Sequence, residues 1–146
     1  MKTRIIFILW ILCCFYSSSF AQKDYLNTLT PPEHPRILLQ KGEEKALKKK
    51  IQKDVVWKDL HLSLLKEAEE MIKLPVNERI KTGMRLLGVS RENLRRIFIL
   101  SYAYRMSGRT DFLKRAEAEM LKAASFSDWN PSHFLDVGEM TMALAI

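Results

Sequence analysis

Residues 90–121 read SRENLRRIFILSYAYRMSGRTDFLKRAEAEML, and this stretch decides the fold. Leu94, Ile97, Phe98, Ser101 and Tyr102 recur at helical spacing and define one inward face. Ser90 has the side chain of an N-cap, and Gly108 suits the left-handed position just past a helix end. Thr110 or Asp111 then opens another helix through Phe112, Leu113, Ala116, Met120 and Ala124. Only a few residues join the two, so they are expected to pair as an antiparallel hairpin. Tyr102 and Tyr104 read as packing groups.

Two more helices precede this pair. Gly42-Glu43-Glu44 places acid at a first turn, and Ala46, Leu47, Lys50 and Ile51 follow at helical spacing. Asp54 is a good cap for the next helix. Val56, Leu60, Leu64, Ala68, Met71 and Ile72 give that helix an apolar stripe, which ends at Pro75. Residues 75–90 are less regular, broken by Gly83 and Gly88. No run alternates with period two, so the fold class is all-α.

The N-terminal residues read as a processing signal. Lys2 and Arg4 form a basic start, Ile5 to Tyr16 carries no charge, and Ser19-Phe20-Ala21 offers small residues to a peptidase. Residues 1–21 are therefore expected to direct export to the periplasm or the medium. The apolar run is too short for a stable membrane span. Leu12 before Cys13 argues against a lipid anchor. Residues 22–40 form an extended lead-in with Pro31-Pro32 and Pro35, and residues 41–146 form the helical region.

Both cysteines, Cys13 and Cys14, lie in the leader, so the mature chain has no disulfide and no thiolate zinc site. The whole chain carries a formal charge of +7, and loss of Lys2 and Arg4 leaves the mature chain at +5. A basic exported domain favours anionic partners, with a solvated basic face as the simpler reading. Two clusters could serve: Lys48, Lys49 and Lys50, and Arg91, Arg95 and Arg96. Aromatics are not interleaved with them on a reading element, so nucleic acid is not an expected partner. No phosphate loop, nucleophile triad or metalloprotease helix is present, and no cofactor is implied.

The chemistry-bearing constellation is WNPSHFLDVGEMTMALAI, Trp129 to Ile146. Ser132 can cap a helix on which His133, Asp136 and Glu139 recur at steps of three, on one broad side. The rest of that helix is apolar, which predicts a crowded interior, with the polar stripe facing a cleft or a neighbouring helix. Imidazole and carboxylates there could contact sugar hydroxyls, and their spacing is not a recognised metal-ligand pattern. The simpler reading pairs Asp136 and Glu139 with arginines and leaves His133 partly exposed. Trp129 can stack on a sugar face and Asn130 can bind hydroxyls, or they can pack and cap the loop. Met142-Ala143-Leu144-Ala145-Ile146 carries no helix stop signal, so the sequence is expected to be the front part of a longer protein.

Three pieces together resemble the N-terminal region of exported heparinase II/III-type polysaccharide lyases. They are His34-Pro35-Arg36-Ile37-Leu38-Leu39, residues 89–121 and residues 127–146. The resemblance implies antiparallel helical hairpins that begin an incomplete (α/α) toroid, with β-sandwich domains beyond. It implies β-elimination on glycans containing uronic acids, hence an anionic polysaccharide partner. The family neutralises the uronate and moves its protons with Asn, His and Tyr residues. No matching Asn-His-Trp segment occurs in this chain, so no catalytic residue is expected within it. It would supply cleft wall, with Asn130, His133, Glu139 and Trp129 as substrate contacts, and would be inactive without its C-terminal remainder. Two alternatives stay open: a stand-alone helical binding module without catalysis, and a glycoside hydrolase on a similar toroid. The second is disfavoured because Asp136 and Glu139 share one helix and cannot flank a glycosidic bond.

Overall fold

Asp54 alone separates the first two helices, and its chemistry explains the break. Its N–H donates to the Lys50 carbonyl and closes α1, Glu44–Lys53. Its carboxylate accepts from the N–H groups of Val56 and Trp57 and opens α2, Val55–Lys73. One extended residue thus satisfies orphan groups at both helix ends. In this computed structural model the described residues are 33–35 and 37–145. The expected secretory leader, residues 1–21, and most of the lead-in lie outside them. The described part of the lead-in contains no helix or strand.

Three further helices follow: α3, Leu87–Ser107; α4, Thr110–Ala124; and α5, Phe134–Ala145. Among the described residues there is no β-strand, only an isolated bridge between Thr82 and Arg85 around Gly83. The all-α expectation is borne out. Gly108 ends α3 in the left-handed conformation, φ 76°, and its N–H donates to the Tyr104 carbonyl. Gly108 and Arg109 are the whole connection to α4.

Residues 35 onward form one compact unit. Its core joins α2, α3 and α4: Ala68 and Met71, Leu100 and Ala103, Phe112 and Ala116, with Leu65, Ile72, Ile99 and Tyr104 packed around them. Full burial of Phe112, Met71 or Leu100 contributes about 1.5–3 kcal/mol each. The alanines let the helices approach closely. Met140 and Ala143 are buried on α5, whose packing on α3 is the most extensive helix–helix contact among the described residues.

Three expectations need correction. Ser90 does not cap α3, because the helix begins a turn earlier, and the buried Ser90 hydroxyl donates back to the Leu86 carbonyl at 3.4 Å. The apolar stripe of α2 is buried only in its second half. Val56 and Leu60 remain 71% and 52% exposed, because the core cluster meets α2 only at its C-terminal end. Finally, α5 does not lie in a crowded interior. It packs on α3 and slightly on α4, which leaves Phe134 80% exposed, with Leu135 and Met142 also on the surface.

Candidate functional site

The candidate residues depend on how two irregular segments are fastened together. Residues 74–86 link α2 to α3, and residues 125–133 link α4 to α5. Two ties join them directly, and a third reaches the first segment from the start of α5. Arg79 donates through Nη2 to Asp128 Oδ1 at 2.7 Å and through Nε to the Asp128 carbonyl. Asn130 Nδ2 donates to the Met84 carbonyl at 2.8 Å. Asp136 Oδ2 accepts from the Leu86 N–H at 2.8 Å.

Asp136 is the centre of this arrangement, and it is fully buried. Oδ2 also accepts from Asn130 Nδ2 at 2.6 Å, and Oδ1 faces His133 Nδ1 at 2.8 Å. Burial pushes the carboxyl pKa up. The hydrogen bonds from Asn130, the Leu86 amide and His133 outweigh it, and the group is held below the usual carboxylate range. Leu86 directly precedes α3, so the carboxylate also meets the positive end of that helix. Asp136 supplies from α5 the cap expected of Ser90.

Asn130 adopts φ 56°, in the left-handed region that asparagine tolerates better than most residues. Its N–H donates to Asp128 Oδ1 at 2.7 Å. That backbone turns the side chain inward. Asn130 is 3% exposed, and its amide is occupied by Met84, Asp136 and the Ser132 hydroxyl. The Ser132 hydroxyl donates to Asn130 Oδ1 at 3.3 Å and caps nothing on α5. Asn130 is therefore a bracing group within the loop.

A buried carboxylate can only accept, so His133 Nδ1 carries the proton that it shares with Asp136. Nε2 then has no hydrogen-bond partner among the described residues, and the side chain is 26% exposed. This is an imidazole fixed at one nitrogen and available at the other. It can donate to or accept from a hydroxyl, and its orientation is set by a carboxylate that cannot turn.

The other two candidates stand apart from this trio. Glu139 lies further along α5 and pairs with Arg91 at 3.3 Å across to α3. Trp129 points its indole N–H at the Ala123 carbonyl, 2.9 Å away, at the end of α4. It borders a shallow depression with Phe126, Pro131 and Val137. The structure thus brings Asn130 and His133 together through Asp136, and does not bring Trp129 or Glu139 to the same point. The simpler sequence reading holds for Glu139 and for partly exposed His133. It fails for Asp136, whose partners are neutral amides and an imidazole.

A second buried carboxylate, Glu119 on α4, was not singled out from sequence. It is fully buried and accepts from Arg96 Nη1 at 2.9 Å, Arg115 Nη2 at 2.7 Å and the Asn77 N–H at 2.9 Å. Arg115 continues to the carbonyls of Leu74 and Pro75, and Arg96 to that of Pro75. Asn77 Nδ2 donates to the Val89 carbonyl and to Asn93 Oδ1. Together these groups satisfy the carbonyls left open where α2 ends. Arg91, Arg95 and Arg96 are consequently no open cluster. Arg95 pairs with Glu92 and Glu67, and Arg96 with Glu92 and Glu119.

Among the described residues no group of acidic, histidine or cysteine side chains is placed to hold a metal ion, and no helix is long and apolar enough to cross a membrane. No family model matches the chain, and no curated protein does.

Proposed function

We propose that this chain is the helical N-terminal portion of an exported polysaccharide lyase, built from antiparallel hairpins that begin an incomplete (α/α) toroid. Its role is to supply one wall of a cleft for glycans containing uronic acids. Cleavage by β-elimination depends on residues outside it, and the chain alone is inactive. The observation that carries this reading is the Asp136–His133 pair at the start of α5. A fully buried carboxylate fixes an imidazole whose second nitrogen is open, in the block that most specifically resembles the lyases. His133 is the leading substrate contact, and Glu139 and Trp129 flank it. Asn130 acts by bracing the loop.

The test has two parts. Residues 22–146 are incubated with uronate polysaccharides and the absorbance of unsaturated uronate is followed. No turnover is expected, and robust turnover would overturn the assignment of catalysis to residues elsewhere. Binding of the same polymers is then measured for His133→Ala. A loss of about tenfold is expected for a hydrogen bond to a charged or strongly oriented group. Wild-type affinity in that variant removes His133 from the cleft. Separately from these two parts, the coding sequence past Ile146 can be read, since several hundred further residues of helix and then strand belong to the lyase reading.

A further inference from the structure

The chain has two basic clusters, and the structure separates them. The arginines of α3 are engaged: Arg91 with Glu139, Arg95 with Glu92 and Glu67, Arg96 with Glu92 and Glu119. The lysines of α1 are not. Among the described residues, Lys45, Lys48, Lys49 and Lys53 enter no ion pair. Lys50 lies over the Trp57 ring, 4.0 Å from its centre. The acids beside them are already occupied. Glu43 accepts from the Gln40 N–H, Glu44 pairs with Arg105, and Asp54 caps α2. From Lys41 to Asp59 the chain carries seven lysines against four acids, the fourth being the exposed Asp59 of α2.

The same elbow exposes aliphatic side chains. Val55 and Val56 open α2 at 68% and 71% exposure, and Leu60, one turn after Val56, is 52% exposed. Exposed aliphatics set among uncompensated lysines are the composition of a surface that lies in a lipid interface. A soluble polyanion would meet the cations and leave the valines and Leu60 in water. An anionic bilayer accommodates both, with phosphates for the ammonium groups and an acyl boundary for the aliphatics.

We infer that the elbow between α1 and α2 is a docking surface for an anionic phospholipid membrane. Lys45, Lys48, Lys49 and Lys53 face the headgroups, and Val55, Val56 and Leu60, which share one arc of α2, enter the interface. This is peripheral attachment, independent of the lyase reading, and requires no spanning helix.

The test is cosedimentation of the full chain with vesicles of phosphatidylcholine, alone or doped with phosphatidylglycerol. Residues 1–21 are present in every variant, so comparisons between variants cancel their contribution. Doped vesicles are expected to bind at least about tenfold more tightly, with the advantage shrinking as salt rises. Lys48→Gln with Lys49→Gln should lose roughly 25-fold on doped vesicles, at about fivefold per lysine near an anionic leaflet. Val56→Ser with Leu60→Ser should lose about tenfold or more on the same vesicles. These side chains are exposed, so the circular dichroism of each variant should match wild type. Lys45→Gln with Lys53→Gln replaces any variant that does not. Equal binding to both vesicles overturns the inference. So does an unchanged Val56/Leu60 variant while dextran sulfate is held through the same lysines, because that result assigns the surface to a soluble polyanion.

Discussion

Glu119 and Asp136 are both fully buried carboxylates, and the molecule compensates them in different ways. Glu119 meets two guanidinium groups whose side chains are only 10% and 11% exposed. Asp136 meets an asparagine amide, a backbone N–H and a histidine. The first is a permanent charge balance deep in the helix assembly. The second is a hydrogen-bonded anion at a helix start, open to solvent through His133. The difference teaches where each can act. Glu119 is closed off by α2, α3 and α4, so its network holds the fold. Asp136 presents its partner to the surface, so its network can hold the fold and also orient a group toward a ligand.

Glu119→Ala should give the largest effect. It leaves Arg96 and Arg115 buried without their shared acceptor, at a cost of about 3–5 kcal/mol in urea unfolding. A cost under about 1 kcal/mol would show that the arginines find water, and the contrast with Asp136 would vanish. Asp136→Asn keeps the shape and loses the charge, while one buried donor is left facing another. About 1–3 kcal/mol of destabilisation is expected.

Acid tests the Asp136 network directly. Asp136 has a folded pKa below its ordinary value of 3.8. Its contribution is therefore complete above that value and is lost as pH falls through the depressed one. Wild-type stability should fall more steeply than that of Asp136→Asn below about pH 4. Parallel curves in acid would show that Asp136 is not the source. A smaller effect separates shape from chemistry at residue 130. Asn130→Gly keeps the left-handed backbone, whereas Asn130→Ala strains it, so alanine should be the worse by about 1 kcal/mol. Equal losses would mean that the backbone there relaxes. Smallest of all, Arg91→Ala should change stability by no more than about 0.5 kcal/mol, since its pair with Glu139 is largely exposed. A larger loss in thermal unfolding would mean that α5 is held by that pair as well as by Asp136.

The helices were legible because their signals are local. Asp54, Gly108 and the end of α2 before Pro75 act through neighbours in sequence, and the structure uses them as read. Ser90 misled for the opposite reason. The donor at the start of α3 is satisfied by a carboxylate 50 residues away, which no local pattern records. The stripe of α2 looked continuous because hydrophobicity is a property of one helix, while burial needs a partner. Arg96, Asn93 and Glu119 were hidden because charged and amide residues read as surface. One clue was available. The buried face of α3, Met106, Ala103, Leu100 and Ile97, extends backwards at helical spacing onto Arg96 and Asn93. A polar residue in line with an apolar stripe is a candidate for a buried network. Of the site, His133 and Asp136 were visible as a stripe. The inward turn of Asn130 was not, since it depends on one positive φ.

The bond from Asp136 to the Leu86 amide also sets an order of events. The partner of the Leu86 amide lies 50 residues further along the chain, so the first turn of α3 is completed only when α5 docks. The helix can form through its middle on local contacts, but its beginning is completed last. Hydrogen exchange at Leu86 therefore reports the docking of α5. In Asp136→Asn that amide should exchange faster while those near Leu100 keep their protection. Slow exchange at Leu86 in the variant would show that the start of α3 closes without help from α5.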